Sequence, residues 1–147
     1  MKCVVQKVNE ASVTVDNKLI NKIDRGLLVL VGFTDTDTEK ELEYCVRKIV
    51  NLRIFEDEND VMNKSVLDCN GEILSISQFT LYGDVKKGNR PSYVKALSGD
   101  KALPLYEKFN KMLNEHIKTY DGIFGADMKI KLLNDGPTTI IIDTDNN

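Results

Sequence analysis

Within the stretch Leu74-Ser75-Ile76-Ser77-Gln78-Phe79-Thr80-Leu81-Tyr82-Gly83, two hydroxyls (Ser77, Thr80) and a carboxamide (Gln78) fall within four positions. Such groups hydrogen-bond at neutral pH without ionising, so they suit orienting a substrate or a water. A nucleophilic role for Thr80 is also open, but it needs an adjacent base to activate the hydroxyl. The chain offers few bases. Its one histidine, His116, falls on a predicted helix and reads as structural or exposed, so a Ser-His-Asp triad is not supported. Cys3, Cys45 and Cys69 have no histidine near them in sequence and form no Cys-x-x-Cys pair. They read as reduced, mostly buried thiols, with neither a disulfide framework nor a zinc site. The acids show no metal-ligand spacing, and Glu56, Asp57, Glu58 and Asp60 read as the decoration of a loop. No metal and no cofactor is expected.

A strand must carry the polar cluster. Glu72 to Ile76 is rich in isoleucine and leucine, as a buried strand requires. If the strand continues, Gln78 and Thr80 share a face with Leu74 and Ile76, while Ser77 shares the other with Ile73 and Phe79. Polarity then belongs to the strand's end and not to one face. That pattern fits a strand leaving a core for a cleft, and it also fits a solvated strand terminus.

The remaining elements follow from pattern. Lys2 to Asn9 and Ser12 to Val15 read as strands, and Asp16-Asn17 as a turn before Leu19-Ile20, so a β-meander is expected. Gly26 to Phe33 is an apolar run of about eight residues. That suits a buried strand and falls far short of the roughly 20 needed to cross a bilayer. Thr36-Asp37 is placed to cap a helix bearing Leu42, Cys45, Val46 and Ile49 at three- and four-residue spacing. Ser98-Gly99-Asp100 opens a second helix with the stripe Leu105, Tyr106, Phe109, Met112, Leu113 and Ile117, and Pro104 lies early enough to be tolerated. Two closing strands, 127 to 133 and 138 to 143, are expected to be joined by a turn at Asn134-Asp135-Gly136-Pro137. Strands, then helices, then strands give an α+β class: a mostly antiparallel, barrel-like sheet with two main helices packed on it.

At 147 residues the chain is expected to form a single domain, 1–147, and 41% apolar with 29% charged residues is an ordinary globular composition. Only the Asp143 to Asn147 tail reads as a segment without order. The start Met1-Lys2-Cys3-Val4-Val5 lacks the basic and long apolar regions of a signal peptide, so a cytoplasmic location with no membrane contact is expected. A net charge of −3 opposes general polyanion binding. Locally, however, Lys86, Lys87, Arg90, Lys95 and Lys101 cluster after the polar strand end. They read either as a solvated loop or as a guide for phosphates.

Ser77-Gln78-Phe79-Thr80 followed by Leu81, together with Asn134-Asp135-Gly136-Pro137, resembles the paired signature of the D-aminoacyl-tRNA deacylases. The likeness runs nearly end to end, through Val4-Val5-Gln6-Lys7-Val8, Arg53-Ile54-Phe55, Gly88-Asn89-Arg90-Pro91-Ser92 and Phe124-Gly125-Ala126-Asp127-Met128. Two places depart from it. Thr138 stands where valine is usual after Gly-Pro, and Tyr82-Gly83 varies among members.

The resemblance implies hydrolysis of the ester of D-aminoacyl-tRNA, and of glycyl-tRNA, at the 3′ acceptor end, with L-aminoacyl-tRNA rejected. An aminoacyl ester is already activated, so the main demand is to stabilise an oxyanion. Main-chain N–H groups around Gln78 and Phe79 could do this, each worth roughly 3 to 4 kcal/mol of barrier. Ser77, Gln78, Phe79 and Thr80 are the expected catalytic set, with the terminal adenosine's 2′-hydroxyl implied as a participant. Phe124 matches a position near the terminal adenine, and it also suits a core residue. On the residues alone the Gly136–Pro137 bond reads as trans, the common form. The resemblance implies instead a cis bond that enters the partner subunit's site and sterically excludes L-amino acids, and hence a homodimer with sites at the subunit interface. A related deacylase with relaxed chirality and a non-catalytic nucleic-acid-binding module remain as alternatives.

Overall fold

Strand β1 (Lys2–Val15) organises the molecule, which is a computed structural model describing residues 1–146. It does not break at Asn9 and Glu10. An irregularity between Val8 and Glu10 shifts its phase, so Cys3 and Val5 face one core while Val8, Ala11 and Val13 face another. The second half of β1 pairs antiparallel with β2 (Lys18–Ile23), and the first half with β3 (Gly26–Gly32). No meander forms, because the two strands expected at 2–9 and 12–15 are one continuous β1 and only its hairpin with β2 remains; β3 likewise returns to β1 and not to β2.

Helix α1 (Glu39–Asn51) follows, then a short hairpin of β4 (Phe55–Glu56) and β5 (Met62–Lys64). Next come β6 (Glu72–Ser77), a 3-10 turn at Phe79–Tyr82, α2 (Gly99–Asn114), β7 (Thr119–Asp121) and β8 (Lys129–Asp143). The main sheet runs β2-β1-β3-β6-β7, with β8 also on β1, and the two helices pack on this nearly closed, barrel-like sheet. The class is α+β as expected, but the sheet is mixed. The β3–β6 and β6–β7 pairs are parallel because α1 and α2 each serve as a crossover between them.

Two cores result. Leu27, Val29 and Val31 of β3 meet Leu42, Cys45, Val46 and Ile49 of α1 and Tyr106, Phe109 and Leu113 of α2, as the helix spacing predicted. Leu28 points the other way, into the barrel, with Val8, Ala11, Val13, Ile23, Leu74 and Ile76. Burial on both faces is why β3 is a continuous apolar run. At roughly 1.5 to 3 kcal/mol per fully buried large aliphatic side chain, these cores outweigh the other stabilising contacts.

The cap of α1 is Thr38 and not Thr36-Asp37. Thr38 and Glu41 form a reciprocal capping box, the Glu41 carboxylate accepting from the Thr38 amide at 2.7 Å. Asp37 instead accepts from the Thr34 amide at 2.8 Å and from the Met1 ammonium at 2.7 Å. Helix α2 starts after Ser98 and accommodates Pro104, as expected. All three cysteines are free, with Cys3 and Cys45 buried and Cys69 half-buried. The tail is structured where it is described: Asp143 ends β8, Thr144–Asn146 form a 3-10 turn, and the Tyr82 hydroxyl donates to Asp145 at 3.2 Å. Asn147 lies outside the described residues. Among the described residues, no helix is long and apolar enough to cross a membrane.

Candidate active site

The carboxyl ends of parallel strands β3 and β6 open onto a cleft of about 570 Å³. Val31 and Gly32 supply one wall, Ser77, Gln78 and Phe79 a second, and Phe124 to Met128 a third, with the start of α2 closing the side. The polar end of β6 does enter a cleft. The alternation expected through Thr80 stops at Ser77, however, because Phe79–Tyr82 turns into a 3-10 helix. Ser77, Gln78 and Thr80 therefore lie around a bend and not along the two faces of one strand.

That bend decides which main-chain groups remain available. The Gln78 amide donates to the Val31 carbonyl at 2.7 Å, extending the β3–β6 ladder, so it is not an oxyanion donor. The amides of Phe79 and Thr80, which open the turn, have no acceptor among the described residues. The Gln78 carboxamide donates to the Thr80 hydroxyl, which fixes that exposed side chain beside the turn. Thr80 borders the cleft without lining it.

Phe124 lines the cleft and packs against Tyr106, ring centroids 5.7 Å apart. The Tyr106 hydroxyl donates to the Ser75 carbonyl at 2.7 Å, and burial raises its pKa above the ordinary tyrosine value. Phe79 is 55% exposed and meets Tyr93 edge to face at 5.1 Å. Asp127 is the one carboxylate lining the cleft; it is exposed and pairs with Lys129 at 3.1 Å. His116 is exposed just beyond α2. Cys3 is fully buried, and its hydrogen bond with Cys45, then burial, push its thiol well above the usual range, which removes it as a nucleophile. Among the described residues, no cluster of three or more His, Cys, Asp or Glu side chains could hold a metal ion.

Gly136 and Pro137 do not line this cleft. The turn expected at 134–137 is also absent, since β8 runs through it. The residues between Asn134 and Thr139 bulge outward against β1, leaving Gly136 and Pro137 exposed. The Gly136–Pro137 bond is cis, not trans as the residues alone suggest, and Gly136 holds φ +117°, a value side chains disfavour. Asn134 clamps the bulge, its carboxamide donating to the Lys7 and Thr138 carbonyls at 3.0 Å each. Thr138 is buried, and its hydroxyl has no protein partner among the described residues.

Lys7, within the strand expected over Lys2 to Asn9, is 1% exposed. Its ammonium lies 2.6 Å from Glu56 and 3.8 Å from Asp135, beside Gly136. Glu56 is therefore a partner in strand β4 and not loop decoration, and Lys7 holds its carboxyl below the usual range. A lysine between Gln6 and Val8 carries no signal of burial. The position of Glu56 on a second strand could not be read without the fold.

The sequence model of the D-Tyr-tRNA(Tyr) deacylase family matches residues 4–143. The chain is 55% identical to a Flavobacterium psychrophilum protein and 55% identical to a Parabacteroides distasonis protein, each named D-aminoacyl-tRNA deacylase, over 99% of both chains in each case. The solved structure of a c-Myc DNA unwinding element binding protein superposes with a TM-score of 0.93 at 47% identity, covering 98% of this chain and 99% of that one. A structure described as a probable eukaryotic D-amino acid tRNA deacylase shares the fold, with a TM-score of 0.81 at 21% identity over 96% and 97% of the two chains. With the family model matching residues 4–143 and the likeness spanning almost the whole length, the chain belongs to the D-Tyr-tRNA(Tyr) deacylase family.

Proposed function

We propose that this chain hydrolyses the ester of D-aminoacyl-tRNA, and of glycyl-tRNA, releasing free amino acid and tRNA while leaving L-aminoacyl-tRNA intact. The observation that carries the reading is the cleft itself: unpaired main-chain amides at Phe79 and Thr80 beside apolar walls, with no histidine or thiol among its lining residues. Such a site suits an acyl group that is already activated. The amides receive the developing oxyanion, Gln78 holds Thr80 so that its hydroxyl orients the ester or a water, and Ser77 borders the acyl group. Phe124, backed by Tyr106, stacks on the terminal adenine, whose ribose 2′-hydroxyl takes the acid-base role that no side chain fills.

Chirality is selected by exclusion. The two enantiomers carry the same groups, so attraction alone separates them poorly, whereas a wall on one side rejects the wrong hand. Gly136 and Pro137 supply that wall from a second copy of the chain. Their exposure on a bulge outside their own cleft supports this. So does β8, which among the described residues pairs only with β1 and leaves Leu133 55% and Ile141 71% exposed. Glycine has no side chain to collide, so its ester is also cleaved.

A non-catalytic nucleic-acid-binding role is the second reading, favoured by the DNA-element-binding name of the 47% identical relative. Incubating the purified chain with D-, L- and glycyl-tRNA separates the two. Release of D-amino acid and glycine but not of L-amino acid is expected, and no release from any of the three favours the binding module.

A further inference from the structure

We propose that Tyr93 is a second nucleotide subsite, on which the base immediately 5′ of the terminal adenosine stacks. The inference rests on the deacylase reading above and goes beyond the terminal nucleoside. A cleft that receives one nucleoside against Phe124 must let the rest of the strand leave through its mouth. The mouth carries an aromatic pair, since Phe79 and Tyr93 meet edge to face at 5.1 Å and are 55% and 40% exposed. Large aromatic surfaces left open beside a nucleotide cleft are what an unpaired base seeks, because every base has a face to stack.

Tyr93 is open to solvent yet firmly placed. Its ring rests on Gly83, where an added side chain would come within 3.1 Å of the ring edge. Its carbonyl accepts from the Ala96 amide at 3.0 Å. The loop carrying it is tied at both ends, by the Asp84–Ser92 bridge at 2.8 and 2.9 Å and by Thr34, whose hydroxyl donates to the Lys95 carbonyl at 2.6 Å. A platform fixed before binding loses little freedom when a base settles on it. Charge agrees. Lys86, Lys87, Arg90 and Lys95 lie exposed on the same loop, and among the described residues none of them forms an ion pair. On a chain of net charge −3, a local run of free cations beside an aromatic shelf suits a phosphate-linked strand.

The test compares D-tyrosyl-tRNA with D-tyrosyl-adenosine, which lacks the preceding nucleotides, using wild type, Tyr93→Ala and Tyr93→Phe. Thermal melting checks that each variant folds. Tyr93→Ala is expected to raise KM on the tRNA ester about tenfold, the scale of one lost base–aromatic stack, with KM on the adenosine ester unchanged. Tyr93→Phe is expected to match wild type on both. Equal losses on the two esters overturn the proposal, because Tyr93 would then act only by holding Phe79. No loss on either, or Tyr93→Phe failing as Tyr93→Ala does, also overturns it. If wild type cleaves neither ester, the deacylase reading fails, and binding of the trinucleotide CCA decides Tyr93 separately. Roughly tenfold weaker binding by Tyr93→Ala supports the stack, and equal binding overturns it.

Discussion

Replacing Gly136 by alanine tests how the bulge is held. Gly136 sits at φ +117°, and a non-glycine residue held in such a region costs roughly 1 to 3 kcal/mol. An added Cβ would also stand 2.6 Å from the Thr138 hydroxyl oxygen and 3.2 Å from its backbone nitrogen. Thr138 is buried and cannot swing away freely, so this crowding adds about 1 to 2 kcal/mol on the scale of an overpacked core. The exposed bulge relieves part of the sum, leaving a loss of about 3 kcal/mol. At a urea dependence of about 2 kcal/mol per molar, the unfolding midpoint falls by roughly 1.5 M. The two contributions separate in a Thr138→Ala background, where the hydroxyl is gone: there Gly136→Ala should cost about 1 kcal/mol less. Urea unfolding followed by circular dichroism, at one fixed protein concentration, measures all four proteins. A Gly136→Ala chain within about 0.5 kcal/mol of wild type, or a cycle additive to that margin, would refute the reasoning.

Two further outcomes follow from the site and its supports. Thr80→Val should lower kcat on D-aminoacyl-tRNA by roughly tenfold to a hundredfold with little change in KM, as expected for an orienting group; rapid mixing that reveals a burst of acyl-enzyme would contradict this and make Thr80 a nucleophile. The Glu56 carboxyl is held below its ordinary range by its hydrogen bond to Lys7. A depressed folded-state value means stability that is present above the unfolded value and lost as pH falls through the folded one. Wild type should therefore melt above Glu56→Gln near neutral pH, with the gap closing as pH drops below the ordinary glutamate range. A gap that stays constant on acidification would show that the pair is not the cause.

Where a residue's neighbours in sequence decide its surroundings, the chain was legible. The spacing of Leu42, Cys45, Val46 and Ile49 and of Tyr106, Phe109 and Leu113 marked the buried faces of α1 and α2. The unbroken run in β3 marked a buried strand, which the fold covers on both sides. Partner choice was less visible. That β6 runs parallel to β3 depends on where α1 returns the chain, and neither strand's composition records it. Asn134-Asp135-Gly136-Pro137 carries every residue type of a turn, but pairing of both flanks with β1 overrides that preference and converts the expected turn into a bulge. Lys7 illustrates the same limit, since its burial depends on Glu56 and Asp135 arriving from other strands. At the site, Ser77, Gln78, Phe79 and Phe124 do line one cleft. Which amide stays free, however, depended on the Gln78–Val31 bond, a main-chain contact that no side-chain pattern encodes.

The proposed site is built of main-chain groups, and its stereochemical preference comes from a wall and not from a titrating side chain. The most direct measurement is single-turnover hydrolysis of one tRNA charged in turn with the D and L forms of the same amino acid. Release of the D form is expected to be at least roughly a hundredfold faster, a discrimination equivalent to about 2.7 kcal/mol. Comparable rates for the two would contradict it.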